Sequence, residues 1–124
     1  MIALQQRDPA ALEWGFRYIV RKTPEPLVIG AGGYTAPAKD GQIEIGYSIA
    51  PSARRRGYAS EAATGLVAYA FAHANVSRVI AHTLAHLTSS IGVLKKCGFR
   101  RVGPGLEEGT VEYALERGEM EPRS

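Results

Sequence analysis

The sequence is poor in cysteine, in long apolar runs and in charge of one sign. Its one cysteine, Cys97, has no partner for an internal disulfide, which suits a reducing, cytoplasmic setting. No apolar run reaches the roughly 18 residues of a membrane-spanning helix, so no membrane partner is expected. The opening MIALQQRD has neither a basic n-region nor an apolar h-region, and no signal peptide is expected. Fifteen Lys and Arg against twelve Asp and Glu leave a net charge of +3. That excess is too small to define a nucleic-acid binder by itself. There is no repeat, linker or low-complexity stretch, and the 124 residues suit a single domain, 1–124.

The apolar residues that are present fall into regular patterns. Residues 8–14 suit a short helix, with Asp8 as N-cap and Pro9 at the first helical position. Residues 16–20 alternate as a strand, and the turn at 23–26 ends it. Leu27–Tyr34 is a second strand, interrupted by Gly30, Gly32 and Gly33, and residues 36–41 read as a hairpin connection. Residues 42–50 form the next strand. Ile43, Ile45, Tyr47 and Ile49 share one face, while Glu44, Gly46 and Ser48 share the other.

A long helix is expected from near Ser60 to Ala74, on the spacing of Ala59, Ala62, Ala63, Leu66, Val67, Ala70 and Phe71, with Asn75 closing it. Arg78–Leu84 is a strand. A second helix runs from Thr88 or Ser89 to Cys97 and stops at Gly98. Residues 99–103 and Thr110–Glu116 make a closing hairpin, followed by a polar tail. The class is α/β, with a mixed, mostly antiparallel central sheet and flanking helices.

The chemistry is concentrated where the strand at 42–50 passes through Arg54, Arg55, Arg56 and Gly57 into the long helix. The first amides of a helix have no partner within it and attract anions. Gly57 permits a close backbone approach, and three guanidinium forks suit phosphate oxygens. A pyrophosphate fits this set. The loop is not a Walker A sequence, because no Gly-Lys-Ser/Thr follows, and it is not G-x-G-x-x-G.

The run R-R-R-G-Y-A resembles the [Q/R]-x-x-G-x-[G/A] signature of the GNAT N-acetyltransferase superfamily, carried by Arg54, Gly57 and Ala59. R-G-Y-A-S-E-A is similar to the branch of ribosomal-protein N-acetyltransferases. Downstream, S-S-I-G-V-L-K-K-C-G-F resembles the second family motif, a helix and the strand after it. The likeness covers residues 27–116. It implies acetyl-CoA as co-substrate, lying between the strands at 42–50 and Arg78–Leu84. Its pantetheine arm would pair with backbone near Ile49 and Ala50, and its pyrophosphate would rest on the amides of Arg56, Gly57, Tyr58, Ala59 and Ser60. The acetyl group would pass directly to a primary amine on a peptide, protein or small molecule, with a backbone amide stabilising the oxyanion.

The chain departs from the family pattern in three places. The Asn that begins the second motif falls at Leu87, the tyrosine that serves many relatives as general acid falls at Leu94, and the first strand and most of the first two helices have no counterpart before Trp14. Ser90 is then the residue to meet the departing thiolate, as the resemblance implies, with helix capping by Ser89 or Ser90 as the alternative. Glu44, on the polar face beside Gly46 and Ser48, small neighbours expected to leave room for substrate, is the candidate base, with a solvated or ion-paired glutamate as the alternative. Glu61 suits the helix dipole, Tyr113 and Cys97 suit the core, and His82 and His86 lack partners at metal spacing, so no metal is expected. A non-catalytic acyl-CoA-binding module or partner subunit is the competing reading. The short N-terminal region leaves sheet surface to cover, and a homodimer is expected.

Overall fold

The computed structural model describes residues 2–6, 15–22, 24–35, 38–50, 53 and 57–120. In chain order these form β1 Ile2–Gln6, β2 Arg17–Arg21, β3 Leu27–Tyr34, β4 Gln42–Ile49, α1 Tyr58–Phe71, β5 Arg78–Leu84, α2 Thr88–Lys96, β6 Arg100–Pro104 and β7 Thr110–Glu116. One seven-stranded sheet has the order β1-β2-β3-β4-β5-β7-β6. Among the described strands only β4 and β5 run parallel. Their connection passes through α1, because a parallel pair needs a crossover that a tight turn cannot make.

The expectation that nothing before Trp14 supplies the first strand is overturned. Ile2 to Gln6 pair with Arg21 to Arg17 in antiparallel register. Five residues with a single apolar alternation, Ile2 and Leu4, give little sequence signal; the strand is held by its neighbours. The Ile2 amide donates to Glu61 Oε2 on α1 at 2.9 Å. The expected helix at 8–14 lies outside the described residues.

The β3–β4 hairpin closes as its Asp-Gly sequence implies. Asp40 and Gly41 both have positive φ, 53° and 81°, and Lys39 and Gln42 exchange two backbone hydrogen bonds of 2.9 Å. This is the two-residue turn whose twist matches the strands.

The apolar face of β4 packs under α1, which buries Ala62, Ala63, Leu66, Val67, Ala70 and Phe71. Leu94 from α2, together with Phe99, Tyr113 and Leu115, completes the same core. Ile19, Ile29, Ile49 and Ala53 form a smaller cluster beneath the start of α1.

Helix α1 ends at Phe71, short of the expected Ala74, and Ala72 rather than Asn75 is its C-cap. The cause lies far along the chain. The Arg117 guanidinium donates to the carbonyls of Phe71 at 2.9 Å, His73 at 2.8 Å and Val76, and sits over the Phe71 ring. A cation on the last carbonyls satisfies both their lone pairs and the helix dipole.

Across the sheet from α1, the chain entering β2 lies over two glycines. A Cβ on Gly33 would come within 2.6 Å of Gly15 O and Phe16 Cα, and a Cβ on Gly46 would touch the Phe16 ring at 3.8 Å. The space above Gly46, expected to admit substrate, is occupied by Phe16.

Candidate active site

β4 and β5 pair at Gln42 with Arg78, Ile43 with Val79 and Glu44 with Ile80, and no further. β4 continues on β3 to Ile49, while β5 continues on β7 to Leu84. The two parallel strands therefore part beyond Glu44, and this carboxylate stands at the apex of the gap.

Strand periodicity sends Glu44 to the face opposite α1, and there it meets His82 from β5. His82 Nδ1 lies 2.8 Å from Glu44 Oε2, and His82 Nε2 lies 3.0 Å from Glu112 Oε1 on β7. Glu112 is the direct cross-strand partner of His82. Burial alone would lower the pKa of His82, but its hydrogen bonds to both glutamates and their charges outweigh this and hold it above the ordinary value. Thr35 Oγ1 approaches Glu44 Oε1 at 3.4 Å. Together with Lys39, Gln42, Ile80 and Leu106 these residues line a cavity of about 460 Å³. His82 and Glu112 are site residues that sequence patterning does not single out. Their only signal is parity, each lying on the same strand face as Glu44 once the register is known.

At the other end of the gap, Gly57 caps α1 in the left-handed region, with φ 79° and no side-chain cap. Its Cβ position meets nothing within 4 Å among the described residues. The helical ladder begins with Glu61 N bonding Gly57 O at 3.1 Å, so the amides of Tyr58, Ala59 and Ser60 precede it. Tyr58 and Ala59 anchor this turn against the smaller core cluster. Gly57, Ser60, Glu61 and Lys96 border a second cavity of about 590 Å³, so Lys96 adds a cation that the motif reading omits. Arg54, Arg55 and Arg56 lie outside the described residues. Among the described residues these groups fit a pyrophosphate: amides without a side-chain cap, an open glycine and a nearby ammonium. Ala50, expected to pair with the cofactor arm, is already engaged. Its amide donates to Ile29 O at 2.7 Å and its carbonyl accepts from Ala53 N at 2.9 Å.

Ser90 stands in the first turn of α2, whose N-cap is Leu87 with no side-chain cap, so neither Ser89 nor Ser90 caps the helix. Instead Thr83, the one buried polar residue among those described, donates to Ser90 Oγ at 3.0 Å. With that lone pair used, the Ser90 proton remains to donate elsewhere. Leu94 is fully buried in the core and Tyr113 is buried beside it. Cys97 is half-buried, its thiol directed at Ser60 O and Thr64. Tyr47 is pushed up to about 12 by burial, with Cys97 adding to the effect, so it stays protonated through the neutral range.

A mixed sheet that opens between two parallel strands, with a glycine-capped helix starting at the opening, defines the fold of the acyl-CoA N-acyltransferases. The chain belongs to the GNAT acetyltransferases: residues 2–100 match the family described as the acetyltransferase (GNAT) domain. It is 38% identical over 81 residues to the uncharacterized N-acetyltransferase YjdG of Bacillus subtilis (strain 168), covering 65% of this chain and 48% of that protein. The crystal structure of a GNAT-family acetyltransferase from Bacillus anthracis superposes with a TM-score of 0.73 at 26% identity, over 84% of this chain and 67% of the other. The fold is also shared, with a TM-score of 0.72 at 18% identity, with the spermidine N-acetyltransferase of Vibrio cholerae solved in complex with CoA and spermine. That match covers 85% of this chain and 68% of the other. The chain spans about half the length, or less, of the curated relatives it matches.

Proposed function

We propose that this chain is an N-acetyltransferase that moves acetyl from acetyl-CoA directly to a primary amine. One observation carries the reading: β4–β5 pairing stops at Glu44, so the two parallel strands part there with a carboxylate at the apex. Acetyl-CoA supplies an activated thioester there. Successive residues of β5 divide the work between the two faces of the sheet. His82 holds Glu44 on the cavity side, while Thr83 holds Ser90 on the α2 side. Glu44 takes the proton of the attacking amine as the new C–N bond forms, and Ser90 donates to the thiolate as the C–S bond breaks. Base and donor thus approach the reacting carbonyl from opposite faces. The complementary experiment is acetyl-CoA turnover against a panel of amines and peptides, read by free-thiol release. Tight CoA binding with no thiol release from any acceptor would favour the non-catalytic binding module instead.

Ser90→Ala is expected to lower kcat while leaving acetyl-CoA affinity nearly unchanged, as removal of a transition-state contact should. Steady-state kinetics with calorimetry on the same protein decides it. Unchanged turnover would assign Ser90 to packing with Thr83.

We also propose a homodimer. Tyr18, Leu27 and Val28 on β2 and β3 are 40%, 50% and 54% exposed, and a partner chain would cover such apolar surface. Light scattering at micromolar concentration is expected to give twice the chain mass. An active monomer would refute the assembly.

A further inference from the structure

His82 has both ring nitrogens engaged, and both partners are carboxylates. An ionised carboxylate accepts hydrogen bonds and donates none, while neutral imidazole carries a single N–H. Two contacts of 2.8 and 3.0 Å at once therefore call for a proton on each nitrogen. The ring is sheltered: its side chain is 15% exposed, against 29% for Glu44 and 23% for Glu112. The closed side of this shelter comes from the β6–β7 turn, where a Cβ on Gly105 would approach His82 Cδ2 at 3.1 Å.

We infer that His82 is a cationic positioning residue, held as an imidazolium between Glu44 and Glu112, which fixes Glu44 Oε2 and presents Oε1 to the acceptor cavity. The three groups together carry one net negative charge, so the site attracts an ammonium without placing two free carboxylates side by side. Among the described residues, the other charged groups lining this cavity are Lys39 and Asp40, both from the β3–β4 turn and opposite in sign. Glu112 has no contact with the acceptor in this scheme. Its part is to keep the second proton on His82. The consequence for turnover rests on the acetyl-transfer reading above; the clamp itself rests on the geometry.

The proposal has a pH signature that packing alone would not produce. The clamp holds while His82 is charged and releases Glu44 as pH rises through the His82 pKa, so kcat should fall on that limb. Removing Glu112 withdraws one of the groups that raise this pKa, and the falling limb should move to lower pH by about one pH unit or more. His82→Gln should abolish the limb and reduce kcat at neutral pH by about tenfold to a hundredfold, with KM for acetyl-CoA unchanged.

The experiment pairs kcat–pH profiles of the wild type, Glu112→Gln and His82→Gln with an NMR titration of the imidazole protons, the missing resonance in His82→Gln assigning His82 among the three histidines. The expected result is a His82 titration above that of an ordinary histidine, coincident with the falling limb and lowered in Glu112→Gln. A limb that rises through the His82 titration, or a profile that Glu112→Gln does not move, would overturn the proposal. The titration requires no turnover. Failure of acetyl transfer with every amine would therefore remove the functional reading, while the clamp would stand or fall on the titration.

Discussion

Gly57→Glu is expected to abolish coenzyme A binding. The substitution adds a carboxylate at the helix start where the phosphates are expected, and like charges forced together cost several kcal/mol, about a hundredfold or more in Kd. Steric obstruction by the protein is not the mechanism, since the Cβ position at Gly57 is open among the described residues. Backbone strain is a separate contribution, because φ at Gly57 is 79° and a residue with a Cβ loses about 1–2 kcal/mol there. Gly57→Ala isolates that contribution: it should lower the thermal midpoint while retaining most of the affinity. Calorimetry on both folded variants makes the comparison. If Gly57→Glu binds coenzyme A as the wild type does, the pyrophosphate does not lie on the α1 N-terminus.

The largest effect on turnover is expected from Glu44→Gln, a loss of about 10²–10⁴-fold near neutral pH, as for removal of a general base. An amine acceptor has a pKa of about 8 for an α-amino group or about 10 for lysine, and it loses its own proton as pH rises. The deficit should therefore shrink toward alkaline pH. A deficit independent of pH would return Glu44 to a purely structural ion pair. The same substitution has a stability consequence of definite sign. His82, with a pKa above its ordinary 6.5, adds stability that is fully present below that value and is lost as pH rises through the folded-state pKa. Glu44→Gln should accordingly lower the denaturation midpoint more at acidic than at alkaline pH.

The readability of this chain in its sequence follows the range of the interactions involved. Gly57 and Gly98 begin and end helices because positive φ is a local demand, and the structure gives them φ of 79° and 98°. The alternation through β4 is equally local, with Ile43, Ile45 and Ile49 buried and Glu44 on the other side. The Asp40-Gly41 turn belongs to the same class. What the sequence concealed was set by distant partners. Five residues became β1 because β2 offered an edge and Glu61 an acceptor. Helix α1 stopped at Phe71 because Arg117 reached its carbonyls. The room expected above Gly46 was taken by Phe16, and Glu44 gained His82 and Glu112 only through strand register. Within the site, residue types near the helix start were legible, whereas the carboxylate–imidazole cluster required the completed sheet.

The parting of β4 and β5 also bears on how this protein resists association with itself. An unpaired strand edge is a template for other chains, and sheets commonly guard their outer edges with charge, proline or very short strands. Here the edge opened beyond Glu44 is recessed between two strands that stay fixed on their far sides by β3 and β7. An edge recessed in this way is less open to a neighbouring protein's sheet than an outer edge, and it suits a narrow, flexible small molecule better. Protection by recess places occupancy and folding on one thermodynamic scale. A ligand that binds only the folded chain stabilises it by about 2.7 kcal/mol when present at about 100 times its Kd.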